Sequence, residues 1–260
     1  MREMIEVADG VFVATSRIMS TTSTVLVGAG DALLIDPSWR PDELEELADA
    51  LDARALRVVG GIATHAHHDH LLWHPRFGDA PRFASTATAA LARDERQALV
   101  AHLGEDFPAP LVALMGRVEG TDAALPADAV PAGFAPELVV HDGHAPGHTA
   151  VWLPQQGVLV AGDMLSDIEL PLPYEPENVP AYLAALDLLA GFAAHADVVI
   201  PGHGAPGRDA VARVDADRRY LDAVLAGRTP DDPRLANPGM REVHDDLVRL
   251  VAAAGQTGSS

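Results

Sequence analysis

The chain contains neither cysteine nor lysine among its 260 residues. Without cysteine it cannot form a disulfide, bind zinc through thiolates or use a cysteine nucleophile. Its 18 basic residues are all arginines and face 38 acidic residues, so the formal net charge is −20. Nucleic-acid binding requires basic patches that displace counterions from phosphates. The charge therefore predicts that the chain has no nucleic-acid partner, although metal cations in a site could still attract a compact anion.

Long apolar runs and aromatic residues are also scarce. No segment approaches the ~18 apolar residues of a membrane span, and the start of the chain lacks the apolar region of a secretory signal. We therefore expect a cytoplasmic protein without a membrane partner. Aromatic residues make up 5% of the chain, so the core must consist mainly of Ala, Val and Leu. The length suits a single domain, placed at 1–254, with a disordered tail expected at 255–260.

Four histidines and an aspartate lie close together after an apolar segment, in the order His65-Ala66-His67-His68-Asp69-His70. Imidazole nitrogens and carboxylate oxygens suit zinc and its first-row neighbours. Residues 57–63 predict a buried strand, whose end would hold these ligands on rigid backbone facing a cleft. A loop that is rich in histidine by chance is the alternative interpretation.

Three later motifs argue against chance, because each delivers residues of ligand type. The stretch from Gly143 to Thr149 contains His144 and His148, the apolar run 158–162 ends at Asp163, and the apolar run 198–202 ends at His203. Glycine and proline beside these residues let the backbone approach a metal closely. Each motif alone is a weak signal, but together with the histidine run they indicate a metal site.

The four motifs, in this order, resemble those of the metallo-β-lactamase-fold hydrolase superfamily. The resemblance covers most of the chain, and three of its motifs are Ile35-Asp36-Pro37, Pro146-Gly147-His148-Thr149 and Pro201-Gly202-His203-Gly204. Ala145 departs from the pattern, since many relatives have threonine there. The resemblance implies an α/β fold, the four-layer αββα sandwich, in which two sheets pack face to face with helices outside.

The resemblance also implies seven metal ligands in two groups that share one aspartate. They are His65, His67 and His148 for the first metal, Asp69, His70 and His203 for the second, and Asp163 as the bridge. The implied cofactor is two Zn²⁺ ions, although other first-row divalent metals remain open. His68 fills a variable position and should point away from the metals. An aspartate rather than a cysteine at position 163 resembles the branches that include thioesterases, lactonases and phosphodiesterases.

Four further residues are weaker candidates. Asp36 resembles a carboxylate that orients a ligand imidazole, or it simply forms the turn before Pro37. His144 is expected to support the ligands rather than to bind metal. Tyr174 and Tyr182 follow Asp163, where several relatives carry a hydroxyl that faces the substrate, although a packing role is the alternative.

The remaining sequence predicts helices around the site and two candidate cleft walls. Apolar periodicity and capping residues predict helices over 41–51, 86–103, 179–192, 209–225 and 240–254. The segment 107–136 is predicted to be an irregular connection with one short helix near 111–118, which could wall the cleft or be a surface insertion without a catalytic role. The apolar stretch 164–172 could form another wall, with core packing as the alternative.

The reaction implied by the resemblance is hydrolysis of a small acyl compound, namely a thioester, lactone, ester or lactam, by a metal-bridging hydroxide. Asp69 would hold this hydroxide by a hydrogen bond. Two alternatives share the fold, a phosphodiesterase and a mononuclear iron persulfide dioxygenase. A metal-stabilised binding protein is disfavoured, because structural zinc sites are normally closed and four-coordinate. The expected partner is a small-molecule substrate, and the sequence leaves the oligomeric state open.

Overall fold

The computed structural model describes residues 3–173 and 178–257. The strands of the first sheet are β1 Ile5–Ala8, β2 Val11–Thr15, β3 Thr22–Gly28, β4 Asp31–Ile35, β5 Arg57–Ile62, β6 Arg82–Ala84 and β7 Glu119–Gly120. Those of the second are β8 Glu137–His141, β9 His148–Leu153, β10 Val158–Gly162 and β11 Val198–Pro201. The helices are α1 Pro41–Ala53, α2 Thr86–Asp94, α3 Arg96–Ala101, α4 Ala109–Leu114, α5 Asn178–Ala193, α6 Ala210–Leu225 and α7 Met240–Thr257. Short 3₁₀ turns lie at Pro75–Phe77, Ala127–Ala129 and Pro233–Ala236.

The two sheets form the inner layers of a four-layer αββα sandwich. The seven-stranded sheet follows chain order from β1 to β7, and the four-stranded sheet has the order β11-β10-β9-β8. Strands β1 to β4 are antiparallel neighbours, whereas β4, β5, β6 and β7 run parallel. In the second sheet β10 pairs parallel with β11 and antiparallel with β9. The fold class is therefore the one that the sequence predicts.

Side-chain alternation along the strands explains why two sheets need helices on both outer faces. Leu33 and Ile35 of β4 enter the core between the sheets, whereas Leu34 faces the cluster that contains α1. In β10, Val160 points between the sheets and Leu159 faces the cluster that contains α5 and α6. A strand buried on both faces needs a packed layer on each side. These apolar residues are mainly aliphatic, as the composition predicts.

The helices differ from the sequence predictions in two places. The helix predicted over 86–103 is broken at Glu95, which ends α2 and precedes α3 with φ −100° and ψ 7°. Helix α7 continues to Thr257, past residue 254, where the sequence suggests the start of a tail; residues 258–260 lie outside the described part of the chain. Within the described ranges, no helix combines the length and apolar character needed to cross a membrane.

The segment 107–136 packs against the first sheet and its helices. Leu111 and Met115 are buried in the cluster that contains α1, and Leu125 and Ala129 are buried between the sheets. The short helix expected near 111–118 lies at Ala109–Leu114. This segment therefore contributes to the core, which a simple surface insertion would not.

One edge of the sandwich is held together by hydrogen bonds between the sheets. The Thr22 N–H donates to the carbonyl of Gly202 at 2.7 Å, and the Thr22 hydroxyl donates to the carbonyl of Pro201 at 2.6 Å. The Thr149 N–H donates to the carbonyl of Thr64 at 2.8 Å. These bonds bring the ends of β5, β9 and β11 together, and the ligand-type residues lie there.

Candidate metal centre

Each ligand-type motif follows or joins strands at this shared edge. His65 follows β5 after two residues, Asp163 follows β10 directly, and His203 lies two residues beyond the end of β11. His144 occupies the turn between β8 and β9, with a left-handed backbone at φ 71°. Strand ends place side chains on rigid backbone, so the four motifs converge although they are far apart in sequence.

The first of two clusters consists of His65, His67, His144 and Asp163. His67 Nδ1 lies 2.9 Å from His65 Nε2 and 3.2 Å from His144 Nε2. Both of these Nε2 atoms lie 3.4 Å from Asp163 Oδ2. Three imidazole nitrogens and a carboxylate oxygen thus face a common point.

The second cluster consists of Asp69, His70 and His203. The Nε2 atoms of His70 and His203 are 3.4 Å apart, and Asp69 Oδ2 lies 3.5 Å from the former and 3.4 Å from the latter. Asp163 also reaches this cluster, with Oδ1 3.2 Å from His70 Nε2 and Oδ2 3.3 Å from His203 Nε2. Asp163 therefore lies between the clusters, in the position that the resemblance implies for a bridge.

Hydrogen bonds on the far side of three rings fix which nitrogens face inward. The Thr64 hydroxyl donates to Asp36 Oδ2 at 2.6 Å and lies 3.0 Å from His65 Nδ1, from which it can accept a hydrogen bond. His70 Nδ1 donates to the same Asp36 oxygen at 2.9 Å, and His203 Nδ1 donates to the Met19 carbonyl at 3.1 Å. With Nδ1 donating to these acceptors, Nε2 is the nitrogen of each ring that faces the clusters.

Asp36 therefore occupies the supporting position that its motif predicts. Its Oδ1 also accepts the Thr64 N–H at 2.8 Å, and its side chain is 4% exposed. This carboxylate thus connects β4, the residue before His65, and His70. A turn-forming aspartate alone would not make these contacts.

His144 lies in the first cluster, whereas His148, the predicted ligand, lies beside it. His148 begins β9, and its Nε2 accepts the Asp163 backbone N–H at 3.0 Å. That nitrogen is occupied, and His148 is absent from both clusters. That His148 binds the first metal therefore stays a prediction, and the described geometry adds His144 as a candidate ligand. In this geometry His148 fixes the backbone of the shared aspartate.

Burial and charge set different protonation states in the two clusters. Burial lowers the pKa of His65 well below its usual value and lowers the pKa of His144 to about 3. Burial also disfavours protonation of His203, but Asp163 and Glu169 outweigh it and raise the pKa of His203 to about 10. The pKa of His70 is likewise raised, because Asp163, Asp69 and Asp36 outweigh burial. In the metal-free protein the imidazoles of the first cluster are thus neutral, whereas those of His70 and His203 are protonated.

The donor set and its surroundings fit divalent metal ions. A tetrahedral ion with bonds of about 2.0–2.1 Å keeps its ligand atoms about 3.3 Å apart, which matches the separations above. Asp69 Oδ2 and Asp163 Oδ1 are buried without a hydrogen-bond partner in the described residues. A Cβ at Gly202 would lie 2.0 Å from Asp163 Oδ1, and one at Gly162 would lie 2.4 Å from His148 Nε2. Glycine at these two positions leaves room for the shared carboxylate and its support.

A cleft of about 420 Å³ opens in front of both clusters. Besides cluster residues, its lining comprises Met19, Ala66, His68, Glu95, Ala98, Leu99, His102, Glu169 and Leu172. His68 is expected to point away, but its ring lines the cleft, with its centroid 5.5 Å from that of His102 and 4.9 Å from that of Trp39. It belongs to neither metal cluster. No pattern in the sequence indicates a contact between residues 68 and 102.

The predicted walls and tyrosines are only partly in the cleft. Leu172 lines it, whereas Met164, Leu165 and Leu170 are buried in the second core, and no described residue of 107–136 is part of the lining. Tyr182 is 1% exposed and packs in the same core, so its assignment to the substrate pocket is corrected: α5 turns this side chain into the protein. Tyr174 lies outside the described residues.

Comparison with known proteins identifies the same family. The model of the metallo-beta-lactamase superfamily matches residues 17–203. No curated protein sequence matches the chain. A metallo-beta-lactamase family protein from Thermus thermophilus is 20% identical with a TM-score of 0.66, the match covering 96% of this chain and 94% of that one. A beta-lactamase domain protein from Burkholderia ambifaria is 21% identical with a TM-score of 0.69, and the match covers 97% of this chain and 88% of that one. A metallo-beta-lactamase from Pontibacter korlensis is 21% identical with a TM-score of 0.61, and the match covers 85% of this chain and 99% of that one.

Proposed function

Because the chain belongs to the metallo-beta-lactamase superfamily of metal-dependent hydrolases, we propose that it is a binuclear zinc hydrolase of a small acyl compound. The substrate would be a thioester, lactone, ester or lactam. The observation that supports this most strongly is the position of Asp163, whose two oxygens contact nitrogens of both clusters. A carboxylate shared in this way suits two adjacent divalent ions better than one.

Seven side chains would hold the two ions. The first ion would be bound by His65, His67 and His144, the second by Asp69, His70 and His203, and both by Asp163. When bound, such ions polarise a substrate carbonyl and lower the pKa of water towards neutrality. Zinc is the metal proposed, since neutral imidazole and carboxylate ligands without thiolates suit it.

Asp69 is the residue best placed to handle a proton. Its Oδ2 is buried without a hydrogen-bond donor in the described structure, and its Oδ1 lies 3.8 Å from His68 Nδ1 at the cleft. We assign Asp69 the role of accepting a hydrogen bond from the attacking water. In the net reaction the water oxygen bonds to the carbonyl carbon, the bond to the leaving heteroatom breaks, and the leaving group takes up a proton.

The cleft supports a small-molecule substrate. Its volume of about 420 Å³ falls within the range of about 300–1,000 Å³ that is usual for small ligands. Its described lining contains no arginine, and the chain has no lysine. A nucleic-acid strand requires cations along its path, so we do not propose RNA or DNA as the substrate.

A substrate panel on the zinc-loaded protein tests this function. Acyl thioesters, lactones, β-lactams and phosphodiesters would be compared at equal concentration, before and after removal of metal by a chelator. We expect hydrolysis of an acyl compound that is lost on chelation and restored by zinc. Faster cleavage of a phosphodiester, or oxygen consumption with a persulfide by iron-loaded protein, would overturn the acyl assignment in favour of one of the two alternatives.

A further inference from the structure

The cleft carries carboxylates beyond those that face the metal clusters. Glu169 lies on one wall and Glu95 on another, together with His68, His102 and several apolar side chains. None of the described residues that line it is an arginine, and the sequence has no lysine. Outside the immediate metal centre, the acidic side chains in the lining thus have no arginine or lysine beside them. Burial raises the pKa of Glu169 to about 7, so this carboxylate is mostly ionised at about pH 8.

Glu169 is held in place by Ser166 and by Arg234, the latter from beyond the matched family segment. The Glu169 carbonyl accepts a hydrogen bond from Arg234 Nη1 at 2.9 Å, and its N–H donates to Ser166 Oγ at 3.0 Å. Arg234 itself is fixed by Asp217, with 2.6 Å between Nη1 and Oδ1. The Glu169 side chain is 14% exposed, and its Oε1 lies 3.9 Å from His203 Nδ1. That is the ring nitrogen directed away from the metal clusters, so the carboxylate lies beside the centre rather than in it.

Glu95 lies at the break between α2 and α3. This break places its exposed side chain at the mouth of the cleft, next to Ala98, Leu99 and His102. Within the described ranges, no arginine forms an ion pair with it. Its charge is therefore not neutralised by a partner and contributes to the potential at the mouth. A low-dielectric cleft lined by one sign of charge concentrates ligands of the opposite sign.

We propose that Glu95 and Glu169 are specificity-determining residues that make this cleft select acyl substrates with a cationic side group, such as an ammonium. This proposal rests on the acyl hydrolase function proposed above. The scissile carbonyl would lie at the metal centre, while the side group extends towards the two carboxylates. A carboxylate or phosphate in that position would meet two like charges in a partly desolvated cleft, which is unfavourable.

The test uses three matched acyl thioesters that differ only at the end of the side group. One ends in trimethylammonium, one in a neutral tert-butyl group of the same shape and one in a carboxylate. The released thiol can be followed with a thiol reagent, because the protein has no cysteine to react. Values of kcat/KM would be measured on zinc-loaded protein at about pH 8, where ordinary imidazoles are neutral.

We expect the ammonium thioester to exceed the neutral one by about tenfold, and the carboxylate to be the poorest substrate. Glu95→Gln and Glu169→Gln should each lower the ratio of ammonium to neutral substrate by about three- to tenfold. The matched control is Glu137→Gln, an exposed glutamate at the start of β8 outside the cleft, which should leave all three values unchanged. Raising ionic strength from about 0.02 to about 0.5 M should shrink the ratio in the wild type, since salt screens exposed charges.

Equal kcat/KM values for the three thioesters, a preference for the carboxylate, or ratios unaffected by both substitutions would overturn the proposal. If Glu169→Gln fails to fold, Glu95→Gln and the salt dependence still decide. Three thioether analogues of these substrates, which cannot be hydrolysed, would be titrated by calorimetry. Their binding distinguishes the specificity proposal from the proposed hydrolase function. Thioether binding ordered by charge without thioester turnover would contradict the hydrolase function alone, whereas turnover without charge order would contradict the specificity proposal alone.

Discussion

Asp163 and the residues behind it determine whether the two clusters act as one centre. Its carboxylate contacts His65, His70, His144 and His203 at 3.2–3.4 Å. Its backbone N–H is held by His148. Its pKa lies well below the usual range because the neighbouring histidines outweigh burial. The site therefore depends on which imidazole faces the cluster and which one holds the Asp163 backbone.

Substitution of His144 and His148 separates these two roles. His144→Gln should reduce metal content from about two zinc ions per chain to about one and lower kcat/KM by at least about a hundredfold, because it removes a proposed ligand. His148→Gln retains a hydrogen-bond acceptor near the Asp163 N–H and should keep about two ions. Elemental analysis of both purified variants checks this. If His148→Gln loses an ion and His144→Gln does not, the assignment must be reversed.

The sequence contains the ligand types but not their geometry at this point. Gly143-His144-Ala145 and Gly147-His148-Thr149 are two similar triplets four residues apart, and the choice between them depends on the turn. His144 precedes the strand in a left-handed conformation, whereas His148 already belongs to β9.

Asp36 offers a second test at the residue scale. It is buried and accepts hydrogen bonds from Thr64 and from His70 Nδ1. Asp36→Asn keeps the shape but no longer fixes the His70 tautomer, so zinc affinity should fall by about ten- to a hundredfold. Competition with a fluorescent chelator measures this. Unchanged affinity in a folded Asp36→Asn variant would mean that the aspartate serves only the turn.

At the scale of elements, the loop after β10 is held by groups from the C-terminal part of the chain. Arg213 donates to the Leu165 carbonyl at 3.1 Å, Arg234 to the Ser166 carbonyl at 3.0 Å, and Asn237 to the Ile168 carbonyl at 2.7 Å. These donors lie in α6 and at the 3₁₀ turn before α7. Backbone carbonyls in a loop need such partners when they are buried. The elements after His203 thus support one wall of the cleft.

Removal of Arg234 should destabilise the protein more than a surface change does. Its side chain is 7% exposed and pairs with Asp217, which is 1% exposed. Arg234→Met leaves this carboxylate buried without its cation, which should lower the free energy of unfolding by about 3–5 kcal/mol. Adding Asp217→Asn should recover part of the loss. Urea unfolding of both variants measures the free energy of unfolding. A decrease of less than about 1 kcal/mol for Arg234→Met would contradict a structural role for this pair.

Element types were largely predictable, and the exceptions have local causes. Continuous apolar runs predict the strands that carry Asp163 and His203, and the structure buries both faces of these strands. The break at Glu95 escapes prediction, since residues 86–103 have helix formers throughout and no proline or glycine until Gly104. The packing of 107–136 into the core is not predicted either, because prolines and glycines interrupt the four-residue spacing of its buried residues.

At the scale of the whole molecule, metal binding and pH are coupled. In the metal-free protein carboxylates raise the pKa of His70, and that of His203 to about 10, so both carry protons at neutral pH. Metal must displace these protons, so zinc affinity should fall as pH decreases, by about tenfold per pH unit for each proton released. Zinc titrations between about pH 8 and about pH 6 measure the slope. An affinity independent of pH would contradict this protonation state.

The central claim is a two-metal centre in which Asp163 is shared and His144 is a ligand. Anomalous X-ray diffraction at the zinc edge, on crystals of the zinc-loaded protein, tests it most directly. We expect two zinc peaks about 3.5–4 Å apart. One should lie against His65, His67 and His144, the other against Asp69, His70 and His203, with Asp163 between them. A single peak, or one coordinated by His148 in place of His144, would contradict it.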